Sequence, residues 1–199
     1  MASLSLVDLS ANKSTDKNRE HSYLPLYDKL LVDKRETAKA VLEIGIYAGG
    51  SILLWEEYFQ NAIIIAMDIF LQGHIKEDFA GKRINTIVGD AYTTDAVAQF
   101  TGRKFDVIVD DGPHTIHSML FAVEHYSGLL ADDGIMIIED VQDITWLERL
   151  HAAVPAELRE YVTSYDLRAN KNRWDDIVFV IDKRRKQEQK ERHPYNVAA

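Results

Sequence analysis

The stretch 105–114 reads FDVIVDDGPH, and the stretch 135–140 reads IMIIED. Each is a short apolar run, rich in β-branched residues, that ends in acidic residues, and such runs predict buried parallel strands. In an open α/β sheet, ligands bind outside the carboxyl ends of the strands. We therefore expect four carboxylates and His114 to meet at one edge of the sheet. Such a group can hold a hard divalent cation and place a base beside it.

The composition is ordinary for a single globular domain with a substantial core: 199 residues, of which 46% are hydrophobic and 28% are charged. The formal net charge of -9, from 32 acidic and 23 basic residues, argues against a nucleic-acid partner, because nucleic-acid binding relies on neutralising phosphates. The absence of cysteine excludes disulfides, thiolate zinc sites and thiol catalysis.

Nothing in the sequence predicts membrane insertion or export. No apolar run approaches the roughly 20 residues of a membrane span. Residues 1–18 lack the apolar core of a signal peptide and are polar after Val7. We therefore expect a cytoplasmic protein.

Apolar runs alternate with helical patterns, which predicts a parallel sheet covered by helices on both faces. The predicted strands are 40–44, 63–68, 84–88, 105–109 and 135–138, with a closing hairpin at 161–167 and 177–181. The predicted helices cover about 21–38, 52–60 and 115–130. We expect residues 1–20 to be a flexible segment that can act as an active-site lid, residues 21–183 to form the domain, and residues 184–199 to be a charged tail.

The first part of this pattern is a nucleotide-type half-site: a strand, a glycine-rich turn, a helix, and a second strand that ends in Asp68. The glycines let the backbone approach a ligand, and a carboxylate at the second strand end can accept hydrogen bonds from ribose hydroxyls. The spacing Gly45-x-x-x-Gly49-Gly50 lacks the tight Gly-x-Gly-x-x-Gly that a pyrophosphate needs. A nicotinamide oxidoreductase is therefore disfavoured.

The stretch 42–51 (LEIGIYAGGS) resembles the first motif of class I S-adenosylmethionine-dependent methyltransferases. Asp68 matches the ribose-binding acid of that family, the turn 89–91 (GDA) matches the turn that flanks the adenine, and the last two strands resemble the family's closing hairpin. The resemblance covers about residues 40–140. It implies an α/β, Rossmann-like fold with a seven-stranded, mostly parallel sheet, a C-terminal antiparallel hairpin and helices on both faces.

A narrower resemblance points to metal-dependent sugar O-methyltransferases. The stretches 110–114 (DDGPH) and 138–140 (IED) are similar to the Asp-Asp-Gly-Ser-His and Glu-Asp motifs of the mycinamicin and macrocin type, which rhamnosyl O-methyltransferase and cephalosporin-hydroxylase-like proteins share. The stretch 15–27, with Thr-Asp-Lys and His-x-Tyr, resembles the segment before the fold in these relatives. Pro113 stands where that family has Ser, which changes the stiffness of the loop but keeps the ligands.

This resemblance implies a site for S-adenosylmethionine and for Mg²⁺ or Mn²⁺. The implied metal ligands are Asp111, Glu139 and Asp140. The implied catalytic residues are Asp111 and His114, with His114 as the general base. The residues implied to bind the cofactor are on the glycine turn, at the strand ends and in the N-terminal segment: Glu43, Gly45, Ile46, Tyr47, Ser51, Asp68, Ile69, Asp90, Ala91, Asp110, Lys17 and His21.

The implied reaction is methylation of a hydroxyl on a sugar or glycoside, with rhamnose in a glycan as one acceptor. A catechol-type O-methyltransferase, which holds vicinal oxygens on magnesium, stays an alternative. So does a non-catalytic cofactor-binding module of a larger glycan-assembly protein. Two further possibilities are open at this point: the chain can be one domain of a larger glycosyltransferase protein, and it can form a homo-oligomer.

Each candidate residue also has a purely structural interpretation. The strand-end acids can bond backbone amides or cap helices, and His114 can be a surface or capping histidine. Tyr23 and Tyr27 have the spacing of a core-facing helix. The metal interpretation is favoured because adjacent acids repel each other unless a cation offsets the repulsion, and two such pairs follow neighbouring predicted strands.

Overall fold

Seven strands form a single mixed sheet in the computed structural model, which describes residues 4–185. In chain order they are β1 (Ala40–Ile44), β2 (Ile63–Asp68), β3 (Ile84–Val88), β4 (Phe105–Asp110), β5 (Leu130–Ile138), β6 (Val162–Asp166) and β7 (Ile177–Asp182). The order across the sheet is β3-β2-β1-β4-β5-β7-β6. The first five strands are parallel, and β7 is antiparallel to both β5 and β6. The predicted fold class is confirmed.

Eight α-helices surround the sheet within residues 4–185. They are α1 (Leu6–Ser10), α2 (Leu24–Leu31), α3 (Gly50–Tyr58), α4 (Ile75–Asp78), α5 (Thr94–Ala98), α6 (Ile116–Tyr126), α7 (Trp146–Ala153) and α8 (Arg168–Lys171). Short 3₁₀ helices lie at Val32–Lys34, Ser127–Leu129 and Ala156–Tyr161.

Alternate side chains of the strands enter two separate cores, one on each face of the sheet. On one face, Val41, Val107 and other strand residues pack against α1, α2 and α3. On the other face, Leu42, Ile108 and other strand residues pack against α5, α6 and α7. The central strands are therefore buried on both faces, which their continuously apolar sequences require.

The predicted strands agree with the structure except at β5. The helices predicted over 21–38 and 115–130 are too long, and the one predicted over 52–60 begins two residues earlier, at Gly50. β5 begins at Leu130 rather than at Ile135, because residues 130–134 continue beside β4 across a β-bulge. The helix predicted over 21–38 is α2 followed by a 3₁₀ helix. It begins only at Leu24, with Pro25 in the first turn, where a proline is tolerated.

The N-terminal segment packs against the domain. Ser5 caps α1 by accepting a hydrogen bond from the Asp8 amide, and the Leu6 amide donates to Asp28 at 2.8 Å. Leu6 and Lys17 are completely buried. These contacts differ from the flexible segment expected over residues 1–20, because α1 and a buried ion pair hold it in place. Its role as a lid stays a prediction.

The charged tail expected at residues 184–199 lies outside the described residues from position 186 onward. In its described part, Arg184 pairs with Asp182 at 2.9 Å. Within residues 4–185, no helix is both long enough and apolar enough to cross a membrane.

Candidate active site

Four neighbouring strands place polar residues at the carboxyl edge of the sheet. β2 ends at Asp68, β1 runs into Gly45, β4 ends at Asp110, and β5 runs into Glu139. After β1 the chain continues to β2 on one side of the sheet, and after β4 it continues to β5 on the other side. A crevice therefore opens between β1 and β4, which are neighbours in the sheet. Ligands of open α/β sheets bind in such a crevice.

The glycine-rich turn lies tightly against the end of β4. Gly45 has a φ of +98°, and a Cβ at this position would overlap the carbonyl oxygen of Asp111. Gly49, with a φ of +77°, caps α3. Tyr47 lies between them in a conformation that non-glycine residues rarely adopt, with a φ of 44°, and its side chain is exposed. The turn therefore presents its backbone to the crevice.

A first cavity of about 730 Å³ opens on one side of the turn, a volume that suits a small-molecule site. Six of the predicted cofactor-binding residues line it: Gly45, Tyr47, Asp68, Ile69, Asp90 and Ala91. The Asp68 carboxylate accepts hydrogen bonds from the amides of Ile46, at 2.7 Å, and Phe70, at 3.2 Å. Asp68 is therefore fixed at the cavity wall.

A second cavity, of about 550 Å³, lies between the turn and the N-terminal segment. The turn contributes the predicted residues Ile46 and Ser51, and the N-terminal segment contributes residues 14–16, 19 and 20. His114 lines this cavity, and Asp111 lines both cavities. The two cavities therefore border each other at the end of β4.

The Lys17 ammonium lies among the strand-end acids. Its Nζ is 2.6 Å from Asp111 Oδ2, 2.7 Å from Glu139 Oε2 and 3.4 Å from Glu43 Oε1. Burial lowers the pKa of Lys17, but the Asp111, Glu139 and Glu43 carboxylates outweigh burial and raise this pKa well above its usual value. Lys17 is therefore a permanent cation inside the fold.

Asp140 is held from two sides. Its Oδ1 accepts a hydrogen bond from the Tyr23 hydroxyl and lies 3.2 Å from His21 Nδ1. Its Oδ2 lies 3.4 Å from His114 Nε2. His21 Nδ1 is also 2.7 Å from Asp176 Oδ1, a completely buried carboxylate just before β7. These contacts join the N-terminal segment, the end of β5 and the closing hairpin.

His114 lies just outside α6, whose N-cap is Thr115. Both His114 and Asp140 have a φ of 53°. Four non-glycine residues have positive φ within residues 4–185, and Tyr47, His114 and Asp140 are three of them. Such backbone strain costs on the order of 1–3 kcal/mol per residue and concentrates at functional sites. Its concentration here supports a functional role for this edge.

Burial raises the pKa of the strand-end carboxyls. It raises the pKa of Asp110 to about 7, while a hydrogen bond from Tyr92 acts in the opposite direction. It raises the pKa of Glu43 to about 7 and that of Glu139 well above its usual value, while Lys17 lowers both. Burial also raises the pKa of Asp140. The edge therefore holds more buried carboxyl groups than one lysine can neutralise, and this favours a further cation.

Asp111, His114 and Asp140 bring ligand atoms within 4.8 Å of one another, as a metal site requires. The third predicted ligand, Glu139, is not in this set. Its Oε2 bonds Lys17, and its Oε1 is buried without a hydrogen bond. Glu139 therefore lies next to this set of ligands, and one of its carboxyl oxygens accepts no hydrogen bond within residues 4–185.

A second set of potential ligands is His21, Asp175 and Asp176. Arg173 donates to both oxygens of Asp175, at 3.0 and 2.9 Å. The Ser22 hydroxyl donates to Asp176 at 2.9 Å, and His21 pairs with the same carboxylate. The carboxylates of this set are already bound by the protein, which marks it as a structural anchor.

Four predicted cofactor-binding residues line neither cavity: Lys17, His21, Glu43 and Asp110. The first two bind the acids described above. Glu43 accepts a hydrogen bond from the Trp55 indole, and Asp110 accepts one from the Tyr92 hydroxyl at 2.5 Å. Because each of these four side chains pairs with another side chain and lines neither cavity, the four lie behind the site.

Two residues of the site escape the sequence patterns. Tyr92 lines the first cavity and bonds Asp110, and its signal is an aromatic residue directly after the turn 89–91. Asp176 anchors His21, and its signal is a further pair of adjacent acids beside an apolar run. Both signals are weak, because the role of each residue depends on contacts with distant parts of the chain.

Residues 42–141 match the protein family described as a methyltransferase domain. The chain belongs to this family. The matched residues begin in β1 and end just after β5, so they include the glycine turn, Asp68, His114 and Asp140. The Lys17, His21 and Tyr23 contacts come from residues before the matched part of this methyltransferase domain.

Two curated relatives are similar to this methyltransferase domain. It is 29% identical over 135 residues to demethylmacrocin O-methyltransferase from Streptomyces fradiae, a match that covers 63% of this chain and 33% of that protein. It is 25% identical over 150 residues to 8-demethyl-8-alpha-L-rhamnosyl tetracenomycin-C 2'-O-methyltransferase from Streptomyces olivaceus, which covers 71% of this chain and 39% of that protein. The chain thus spans well under half the length of these relatives.

A solved structure supports the same fold. The MycE methyltransferase from the mycinamycin biosynthetic pathway, in complex with Mg and SAH, superposes with a TM-score of 0.73 at 22% identity. The match covers 94% of this chain and 56% of that one. Nearly the whole chain, including residues outside 42–141, therefore shares the fold of that methyltransferase.

Proposed function

We propose that this domain transfers the methyl group of S-adenosylmethionine to a hydroxyl of a sugar or glycoside, with Mg²⁺ or Mn²⁺ in the site and His114 as the general base. The observation that carries the proposal is the convergence of Asp111, His114 and Asp140 where the two cavities border each other. The names of the relatives support O-methylation, one of them on a rhamnosyl compound.

The first cavity supports the cofactor assignment. The Asp68 carboxylate lies in its wall at the end of β2, where it can accept hydrogen bonds from ribose hydroxyls. Asp90 and Tyr92 line the same cavity and would flank the adenine. When bound, S-adenosylmethionine supplies the methyl group.

The residues of the edge fit a divalent cation. Glu139 Oε1 is buried and has no hydrogen-bond partner within residues 4–185, and Glu43, Asp111 and Glu139 all face the one ammonium of Lys17. Asp111, Glu139 and Asp140 offer hard oxygen ligands, which Mg²⁺ and Mn²⁺ prefer. When bound, the cation lowers the pKa of the acceptor hydroxyl and orients it.

His114 is placed to take the proton of that hydroxyl. Its side chain is 26% exposed and lines the second cavity, so a substrate can reach the imidazole. Asp140 at 3.4 Å and Asp111 at 3.7 Å flank His114 Nε2, so the imidazole lies directly beside the proposed ligands. A base in this position typically contributes about 10²–10⁴-fold to the rate.

The wider context is also part of this proposal. We propose a sugar or glycoside as the acceptor, with rhamnose in a glycan as the first candidate, and no nucleic-acid partner. Four further expectations remain proposals. The domain spans residues 21–183, it is part of a larger glycosyltransferase protein, it forms a homo-oligomer, and it is located in the cytoplasm.

The proposal is tested by methyl transfer from labelled S-adenosylmethionine to a panel of rhamnosides and other glycosides, with catechol as a separate acceptor. Each reaction is run with Mg²⁺, with EDTA, and with EDTA followed by excess Mg²⁺. We expect label in a glycoside with Mg²⁺, none with EDTA, and recovery when the cation is returned.

Other outcomes assign a different function. Label in catechol but in no glycoside would indicate a catechol-type enzyme. Cofactor binding without transfer to any acceptor would indicate a binding module. Undiminished transfer to a glycoside in EDTA would support the methyltransferase activity but would show that it does not require the cation.

A further inference from the structure

We infer that Lys17 and Tyr23, with His21 stacked on Tyr23, form a donor shell behind the proposed metal ligands: Lys17 and Tyr23 bind one oxygen of each acid and leave the opposite oxygen for the cation. The inference rests on the proposed function, because it concerns the same cation. It gives Lys17 and His21 a positioning role instead of the cofactor contact that the sequence predicts.

Lys17 binds two of the three acids through one oxygen each. Its Nζ is 2.6 Å from Asp111 Oδ2 and 2.7 Å from Glu139 Oε2. The opposite oxygen of Asp111, Oδ1, faces His114 at 3.7 Å. The opposite oxygen of Glu139, Oε1, is buried without a hydrogen bond. Lys17 thus orients both acids from one side and does not contact the opposite oxygen of either.

Tyr23 binds the third acid in the same way, and His21 lies beside this contact while its Nδ1 hydrogen-bonds Asp176. The Tyr23 hydroxyl donates to Asp140 Oδ1, and His21 Nδ1 lies 3.2 Å from the same oxygen. The opposite oxygen, Oδ2, faces His114 at 3.4 Å. The free oxygens of Asp111 and Asp140 therefore both lie on the His114 side, where the proposed base is needed.

The donor shell is itself firmly anchored. Asp176 pairs with His21 at 2.7 Å and accepts hydrogen bonds from the amide and hydroxyl of Ser22 at 3.2 and 2.9 Å. The Tyr23 amide donates to the Lys17 carbonyl at 3.0 Å. These contacts fix the shell relative to β7, so it can hold the acids in a set orientation.

Outer donors of this kind orient metal-bound carboxylates, and their loss typically weakens metal binding about 10–100-fold. The three residues of the shell come from one short segment, residues 17–23, that lies outside the matched family region. The cation affinity of the domain should therefore depend on residues that contact neither the cation nor the cofactor.

The test uses Tyr23→Phe in the full chain, since this change removes one hydroxyl and keeps the buried ring. Mn²⁺ binding is measured by electron paramagnetic resonance, S-adenosylhomocysteine binding by calorimetry, and folding by the thermal midpoint. Tyr58→Phe is the matched control, because Tyr58 is a buried tyrosine that packs edge-on against Phe59, away from the acids.

We expect Tyr23→Phe to weaken Mn²⁺ binding about 10–100-fold, with the binding of S-adenosylhomocysteine and the thermal midpoint close to those of Tyr58→Phe. Mn²⁺ binding as tight as in the unmodified chain would overturn the donor shell while leaving the proposed function in place. A parallel loss of Mn²⁺ and cofactor binding would also overturn it, because it would indicate general damage. If the unmodified chain binds no Mn²⁺ at all, both the shell and the cation of the proposed function fail.

Discussion

Lys17 Nζ lies 2.6 Å from Asp111 Oδ2, although the two residues are 94 positions apart in the chain. Lys17 belongs to the segment before β1, and Asp111 directly follows β4. The pair therefore closes the N-terminal segment onto the carboxyl edge of the sheet. It also supplies positive charge where adjacent buried acids would otherwise repel each other.

Lys17→Met should lower the free energy of unfolding by about 3–5 kcal/mol, because removal of one partner leaves buried charges uncompensated. Urea denaturation measures this change. Lys13→Met is the control, since Lys13 pairs with Glu57, whose side chain is 51% exposed; such surface pairs contribute below about 1 kcal/mol. Equal losses in the two variants would show that the buried pair does not hold the segment.

The sheet was predictable from local sequence because its strands are short apolar runs that end at glycine or acid. β1, β2 and β3 have the predicted bounds for this reason. β5 was predicted too short, because Asp132 and Asp133 make its first half look like a turn, although it continues beside β4.

The donor shell was not predictable in the same way. Periodicity over residues 21–38 indicates a helix, but His21 and Tyr23 lie before α2 and bind Asp176 and Asp140, which are more than a hundred positions away. Local patterns identify the acids because each pair ends its own strand. They do not show which distant donors bind those acids.

Asp140→Asn should weaken Mn²⁺ binding and reduce turnover, because it removes a hard anionic ligand, while S-adenosylhomocysteine binding stays unchanged. Calorimetry and the methyl-transfer assay measure the two effects. Asp143→Asn is the control, because Asp143 is exposed and bonds only locally, to Thr145. Unchanged Mn²⁺ binding in Asp140→Asn would remove Asp140 from the ligand set.

His114→Ala should reduce turnover about 10²–10⁴-fold, the usual range for the loss of a general base. Mn²⁺ and cofactor binding should barely change. His74→Ala, which removes a half-exposed histidine that lines neither cavity, should leave turnover unaffected. If His114→Ala turns over at the normal rate, solvent takes the proton and the base assignment is wrong.

Asp133→Asn should destabilise the fold at neutral pH and much less in acid. Asp133 lies 2.6 Å from the buried Lys34 ammonium, and the hydrogen bond from Lys34 lowers the pKa of Asp133 below its usual value of 3.8. A lowered carboxyl pKa contributes stability above the unfolded-state value, and this stability is lost as the pH falls through the folded-state value. Urea unfolding of both proteins from pH 7 down to about pH 3 should show the difference shrinking. A difference that is constant across this range would contradict the ion pair.

The central claim is that the first cavity holds S-adenosylmethionine, and calorimetric titration of the chain with S-adenosylhomocysteine tests it most directly. NAD is titrated in parallel, and Asp68→Ala is compared with the unmodified chain. We expect the unmodified chain to bind S-adenosylhomocysteine and not NAD. Asp68→Ala should weaken that binding by roughly 1–3 kcal/mol, because it leaves ribose hydroxyls unpaired. Binding of NAD without binding of S-adenosylhomocysteine, or equal S-adenosylhomocysteine affinity in Asp68→Ala, would contradict the account.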